Sequence, residues 1–355
     1  MSSRTVISGP YAHEKASVRR SMTLVMLALA PATAFSFYLF AWPAIFLFLL
    51  IAAAVLAFEA ASLAIAGKPV RIFLTDGSAL LTGWLLAMSL PPSAPWWIGL
   101  AGAAIAIIVG KQIFGGLGQN IFNPAMVARV ALLISFPLEM TSYVEPTPLF
   151  SNLAPHFGDS LAAFFGLGGH VDAVSGASIL GHIKTELGRG ASLSEALAGQ
   201  SGLGALGLGQ VTGSLGETSA ALLALGGIFL IAMRVISWRI PVAMLATLAA
   251  MASLFNFLGP DHYPNAAIHL LSGASILGAF FIATDPVTSP VSPRGQLLFG
   301  MGCGALVFII RTWAGYPEGM AFAILLMNAA TPLIDRYVRP RIFGHGAKKS
   351  GAASE

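Results

Sequence analysis

Two segments decide how this chain folds: "DGSALLTGWLLAMSLPPSAP" at 76–95 and "SGASILGAFFIATDPVTSP" at 272–290. With a one-residue gap, Gly77 aligns with Gly273, Gly83 with Gly278, Pro91 with Pro286 and Pro95 with Pro290. Each segment opens on a polar residue, a glycine and small side chains. Each continues as an apolar run and closes as Pro-x-Ser/Thr-x-Pro. The apolar middle suits a bilayer interior, while the glycine and proline flanks interrupt a helix and free backbone groups that need partners there. One such segment in each half of the chain predicts an internal repeat built around broken helices.

Composition sets the surroundings. Of 355 residues, 56% are hydrophobic and 10% are charged, against about 25% charged in a soluble domain. Mean hydropathy is +0.79. Such a chain cannot cover a water-facing surface, so an all-α polytopic membrane protein is expected. With roughly 20 residues needed per crossing, spans fall near 22–40, 43–66, 72–90, 96–111, 124–138, 217–234, 240–258, 267–285, 296–313 and 318–335. The third, fifth and eighth are weak, holding Asp76, Arg129 and Asp285 among Gly, Ser and Pro. About ten transmembrane helices thus divide into two five-helix halves, 22–138 and 217–335, between a 1–21 segment and a 336–355 tail. The N-terminal segment has no apolar core followed by a small-residue cleavage site, and is expected to be retained.

Orientation follows from the basic residues. With the N-terminus inside, fifteen of the nineteen Lys and Arg fall on the cytoplasmic side, Lys68, Lys111, Arg239 and Arg294 among them. Lys184 and Arg189 fall outside, and Arg129 and Arg311 within or at the ends of spans. The positive-inside rule therefore puts both termini in the cytoplasm and makes the halves inverted in topology. The net charge of +4 is accounted for by this sorting and calls for no nucleic acid. The long segment 139–216 lies outside. It contains "ASLSEALAG" (191–199), where Ser192 and Glu195 have the spacing of a capping box.

The string "SGASILG" occurs twice, at 175–181 in this outer loop and at 272–278 in the eighth span. In the membrane its small residues permit close helix packing or a break. In the loop it reads "DAVSGAS" (172–178). Asp172, Ser175, Gly176 and Ala177 are ordinary turn formers, yet the Ser178 hydroxyl, flanked by small residues and preceded by a carboxylate, is also a chemically reasonable ester acceptor. Spacing alone does not separate these readings.

A resemblance does. The blocks "SALLTGWLLAMSLPPSAPWW" (78–97), "KQIFGGLGQNIFNPAMVARVALLISFP" (111–137), "IHLLSGASILGAFFIATDPVTSP" (268–290) and "GYPEGMAFAILLMNAATPLIDRYVRPRIFGH" (315–345) resemble the RnfD subunits of Rnf electron-transport complexes. These are related to the NqrB subunits of the sodium-pumping NADH:quinone oxidoreductase. The resemblance covers nearly the whole chain. It implies a bacterial inner-membrane component of an ion-translocating ferredoxin:NAD oxidoreductase, working with iron–sulfur and other membrane subunits and moving Na+ or H+. It also implies an outer-side Asp-x-x-Ser-x-Ala-Thr signature whose last hydroxyl carries FMN as a phosphoester, installed by a flavin transferase. That position here is Ser178, where the family usually has Thr; the second copy has His269 in place of the aspartate. Related proteins also bind riboflavin non-covalently.

Other residues carry weaker signals. Asp76 and Asp285 are ion-path candidates because intramembrane charges are costly, with helix capping as the alternative. Asn120 and Asn123, in the Gly-rich "GGLGQNIFNPA" (115–125), and Arg129 are candidates for flavin contact; for Arg129 the alternative is a structural ion pair. His156, His170 and His182 lack ligand spacing on one helix, and no metal site is expected. Cys303 alone ligates no cluster and reads as a core residue, so iron–sulfur centres belong to partners. A solute channel or secondary transporter of the same inverted-repeat architecture remains the alternative function, and an assembly scaffold without cofactor a third. The topology predicts that Ser160→Cys reacts with an impermeant thiol reagent in intact cells. Reaction only after permeabilisation would reverse the orientation.

Overall fold

The structure, a computed structural model, describes residues 17–152, 154–167, 175–198, 202–316 and 318–339. Helix α1 (Val18–Ile65) carries the first two spans as one run bent at Ala41, whose φ of 51° and ψ of −145° are not helical. The bend has a local cause: Pro43 lacks an amide hydrogen, and its ring excludes the carbonyl four residues back. The third span divides into α2 (Val70–Leu74) and α3 (Ser78–Ser89). Then α4 (Trp96–Ala104) continues as a π-helical segment, Ile105–Gln112. The fifth span is α5 (Pro124–Ser135), followed by the single turn α6 (Pro137–Thr141).

The described parts of the 139–216 segment contain several short helices. Strand β1 (Tyr143–Val144) is followed by α7 (Phe157–Phe164), β2 (Ser175–Gly176), α8 (Ile179–Gly188), α9 (Leu193–Leu197) and α10 (Leu203–Leu208). β1 and β2 pair antiparallel, Tyr143 opposite Gly176 and Val144 opposite Ser175. This is the one departure from an all-helical fold among the described residues. The capping box expected at Ser192 and Glu195 is present, with both reciprocal bonds made.

The second half contains α11 (Ala220–Ala232), α12 (Arg239–Leu258), α13 (Ala266–Leu271), α14 (Ser275–Leu277) running on as a π-helical turn to Ile282, α15 (Pro293–Trp313) and α16 (Met320–Tyr337). The eighth span is thus broken at 272–274. Gly77 and Gly273, aligned by sequence, both adopt the left-handed backbone, at φ +83° and +65°. Only glycine enters that region without a Cβ penalty, so the two breaks share their conformational device. α1, α12 and α15 are long and apolar enough to cross a membrane. Leu27, Leu49, Leu225, Ile228 and Phe257 stand exposed on the helices, as lipid-facing residues do.

Close packing depends on small residues. A Cβ at Gly300 of α15 would come within 2.7 Å of the Ile240 carbonyl of α12, so the backbones of these two helices approach each other directly. Cys303 is wholly buried beside them. The two halves meet where α5 faces α16: the Asn123 amide donates to Asn328 Oδ1 at 3.1 Å, and Asn328 Nδ2 to the Thr288 carbonyl at 3.1 Å.

The 139–216 segment is tied to helix ends that the topology places on one face. Leu149 N donates to Tyr38 O at 2.8 Å, Leu215 N to Leu90 O at 3.2 Å and Leu193 N to Asp261 O at 2.9 Å. These acceptors lie at or just beyond the C-terminal ends of the first, third and seventh spans. Ser160, however, is 3% exposed and unsuited to labelling; Ser194 is exposed and replaces it as the reporter position.

One sequence assignment needs correction. Lys111, counted among cytoplasmic basic residues, is not at the aqueous surface. It is 2% exposed, and its ammonium donates to Glu59 Oε1 and to Ser78 Oγ, both at 2.8 Å. A buried ion that loses its partner leaves an uncompensated charge, costing about 3–5 kcal/mol. Lys111→Met is therefore expected to lower the unfolding temperature of detergent-solubilised protein markedly, with much of the loss restored in Glu59→Gln/Lys111→Met. A double variant no better than the single one would show that the pair is not the source of the loss.

Candidate functional site

Ser178 is the N-cap of α8. Its backbone is extended, at φ −59° and ψ 155°, and its Oγ accepts from the Gly181 amide at 3.3 Å. The first turn of a helix leaves its N–H groups without intrahelical acceptors, and the helix dipole favours negative charge there. Ser178 itself is buried, at 8% exposed, while Ala177 before it is exposed; a phosphate ester on its Oγ would place an anion against those amides. The donors and the small neighbours fit such a group. Ser175 and Gly176 contribute the two-residue strand that joins β1, which fixes the backbone just before Ser178. Asp172 lies outside the described residues. Thus the first SGASILG copy builds a strand, a cap and the first turn of a helix.

α8 rests on the second copy's surroundings. Ile179, Leu180 and Ile183 form a small apolar cluster with Ile268, Leu193, Leu206 and Val211, against which Leu271 also packs. Their spacing puts one face of α8 over α13. Lys184, on the same helix, donates to the carbonyls of Arg311 at 3.0 Å, Tyr316 at 3.2 Å and Ile310 at 3.5 Å, and also to that of Ala314. These are carbonyls at and just beyond the C-terminus of α15, which a lysine satisfies well. Burial away from water pushes the Lys184 ammonium's pKa down.

The break at 272–274 is braced from below. Arg311 Nη1 donates to the His269 carbonyl at 2.7 Å, and Nη2 to the Ser272 carbonyl at 3.3 Å and to both Glu318 carboxylate oxygens, at 2.8 and 3.1 Å. Glu318 in turn accepts from the Ala274 amide at 3.2 Å and the Met320 amide at 3.0 Å. Sequence reasoning singled out neither Arg311 nor Glu318 as a pair. The signal available was that "RTWAGYPE" sets opposite charges seven residues apart around a helix end.

Two cavities separate the remaining candidates. The first, about 50 Å³, is lined by Ser78, Lys111, Asn120, Asn123 and Asp285 among others. Asn123 also caps α5, accepting from Ala125 and Met126. Among the described residues, Asn120 Oδ1 is buried without a partner. Asp285 binds the Val287 amide and the Thr288 hydroxyl, each at 3.2 Å. Asp76 joins neither cavity; its Oδ1 accepts from Ser78 N at 2.7 Å, the local capping alternative weighed for it.

The second cavity, about 20 Å³, is lined by Arg129, Glu217, Ser89, Ser214 and Ala274 among others. Arg129 is therefore not gathered with the two asparagines. It is 6% exposed, and among the described residues it makes no ion pair within 4.0 Å; Met140 Sδ lies 3.8 Å from its Nη1. Arg129 also acts on Tyr143 of β1. Burial pushes that phenol up to about 12, against the pull of the guanidinium. The Arg129 side thus connects through β1 to the strand that precedes Ser178.

Comparison with known proteins identifies the family. Residues 5–344 match the model of the NQR2, RnfD, RnfE family. The chain is 54% identical over 334 residues to the D component of the ion-translocating oxidoreductase complex of Stutzerimonas stutzeri, covering 94% of each chain. It is 53% identical over 341 residues to that of Halorhodospira halophila, covering 96% of this chain and 95% of the relative. For the Escherichia fergusonii protein of the same name the figures are 42% over 353 residues, with 96% and 98% covered. With the match spanning both halves, both breaks and the loop between them, the chain belongs to the NQR2, RnfD, RnfE family.

Proposed function

We propose that this chain is the RnfD-type membrane component of an Rnf-like ion-translocating ferredoxin:NAD oxidoreductase, carrying FMN as a phosphoester on Ser178. The relatives are named for an ion-translocating oxidoreductase complex, and one observation carries the site: Ser178 Oγ caps the N-terminus of a ten-residue helix and accepts from the Gly181 amide. When bound there, flavin supplies one- and two-electron chemistry that no side chain here provides. The chain's own part is to fix the phosphate at the helix end, hold α8 over α13 and α15, and keep the attachment on the outer side. Serine offers the same nucleophilic oxygen as the family's usual threonine, so a dedicated flavin transferase has its acceptor.

The orientation in this reading has both termini in the cytoplasm, the 139–216 loop outside, ten spans in two inverted halves and lipid around them. The loop's bonds to Tyr38, Leu90 and Asp261 support it, since they require these helix ends to share the loop's side. Iron–sulfur centres and the nucleotide site belong to other subunits. Ion movement, of Na+ or H+, is expected near the broken third and eighth spans, with Asp76 and Asp285 as its candidate residues. Asn120 and Asn123 offer polar atoms but not room for a non-covalent riboflavin: the cavity they line, at about 50 Å³, is well below the roughly 300 Å³ at which small-molecule pockets begin.

The denatured protein is expected to fluoresce under ultraviolet light in a gel. Ser178→Ala should abolish the signal, Ser178→Thr should keep it, and Ser275→Ala, in the membrane copy, should leave it unchanged. In the assembled complex, Ser178→Ala should also collapse electron transfer between reduced ferredoxin and NAD. Fluorescence surviving Ser178→Ala would move the attachment elsewhere, and undiminished turnover without it would remove the relay.

A further inference from the structure

Lys184 has no role in the attachment chemistry, yet its ammonium is committed to four carbonyls of another element. These belong to Ile310, Arg311, Ala314 and Tyr316, and no carboxylate pairs with it among the described residues. An ammonium ligated only by carbonyls is a crosslink between helices rather than a charge pair. It lies six residues after Ser178 on one continuous helix, so displacement at one end is carried to the other by a rigid rod. Arg311 is then used twice. Its carbonyl takes Lys184 from above, while its guanidinium holds the His269 and Ser272 carbonyls and Glu318 from below. Ile179, Leu180 and Ile183 of α8 share one apolar cluster with Ile268 of α13, the helix that ends at the break. The polar route from Ser178 to the broken span therefore runs along α8 to Lys184 and through Arg311.

We propose that Lys184 is a positioning residue that locks the Ser178-bearing helix to the Arg311–Glu318 brace of the broken eighth span, so that the outer flavin site and the membrane break move as one body. This rests on the reading of Ser178 as the flavin attachment point. Any shift of α8 reaches the 272–274 turn through Arg311. Without the anchor, only the apolar cluster joins the two, and apolar contacts slide where directional hydrogen bonds from an ammonium to carbonyls do not.

The test uses the intact complex in proteoliposomes, with turnover driven by reduced ferredoxin and NAD. Ion movement is followed by 22Na+ uptake and a pH-sensitive dye. Lys184→Met is expected to keep full in-gel flavin fluorescence, because the attachment residue is untouched. Ions moved per electron should fall roughly fivefold or more, the lower end of ordinary coupling factors. Lys184→Arg, which can still donate to the carbonyls, should recover most of the ratio, and Lys184→Gln should not. A parent-like ratio in fluorescent Lys184→Met would overturn the proposal while leaving the attachment standing. Absence of fluorescence in the parent would remove the attachment and the proposal with it. Should Lys184→Met fail to assemble, the Arg and Gln variants decide: equal ratios in the two would overturn the anchoring role.

Discussion

A guanidinium cannot be stripped of water inside a helix bundle unless acceptors are waiting for it, and the break in the eighth span supplies them. Interrupting a helix at 272–274 leaves the His269 and Ser272 carbonyls available and the Ala274 amide without a helical acceptor. Arg311 takes the carbonyls, and Glu318 takes the amide and the remaining positive charge. The carbonyls, the amide and both terminal guanidinium nitrogens find partners here, while Arg311 Nε and the His269 ring nitrogens are buried without one among the described residues. The first half uses a related solution, since Lys111 reaches Ser78, the residue directly after the Gly77 turn, and is neutralised by Glu59. In both halves a basic residue of the fourth helix stabilises the interruption of the third. The interruptions are thus fixed features of the fold, each held by a buried cation.

The outer loop is built on the same foundation. Its apolar cluster needs α13 to stop where it does, and Lys184 needs the carbonyls at the end of α15. Moving the break by a few residues would remove the surface on which α8 rests. The two SGASILG copies therefore differ in role and in element but are neighbours in the molecule: one forms the cap and first turn of α8, the other the broken span, and Arg311 touches the surroundings of both.

Much of this is legible in the sequence. Hydropathy and proline placement mark the helical segments, because apolar length and missing amides act locally. The pairing of Gly77 with Gly273 is visible because a left-handed turn demands a particular residue. The Ser192–Glu195 capping box is visible for the same reason. Ser178 stands out through resemblance, since nothing in "DAVSGAS" distinguishes an acceptor hydroxyl from a turn. What sequence does not disclose is partnership across distance. Lys111 looks like an ordinary cytoplasmic lysine because Glu59, fifty-two residues away, sits in a run otherwise apolar. Arg311 and Glu318 are unreadable as a brace because their backbone partners, the His269 and Ser272 carbonyls and the Ala274 amide, lie some forty residues upstream. Arg129 is grouped with Asn120 and Asn123 by proximity in the chain, whereas the helix carries its side chain to a different cavity.

The cap formed by Ser178 has a bearing on maturation. A serine that caps a helix contributes through its oxygen as acceptor, and esterification removes the hydroxyl hydrogen but leaves that oxygen able to accept. If Ser178 carries the phosphoester, attachment therefore does not cost the helix its cap. It adds a negative charge at the end of α8 where the dipole is positive, a gain of about 0.3–1 kcal/mol at ordinary exposure. The modified residue is then a better helix start than the unmodified one. On that reading the cofactor would contribute to the local folding energetics of the loop, whose cap is already formed in the unmodified chain.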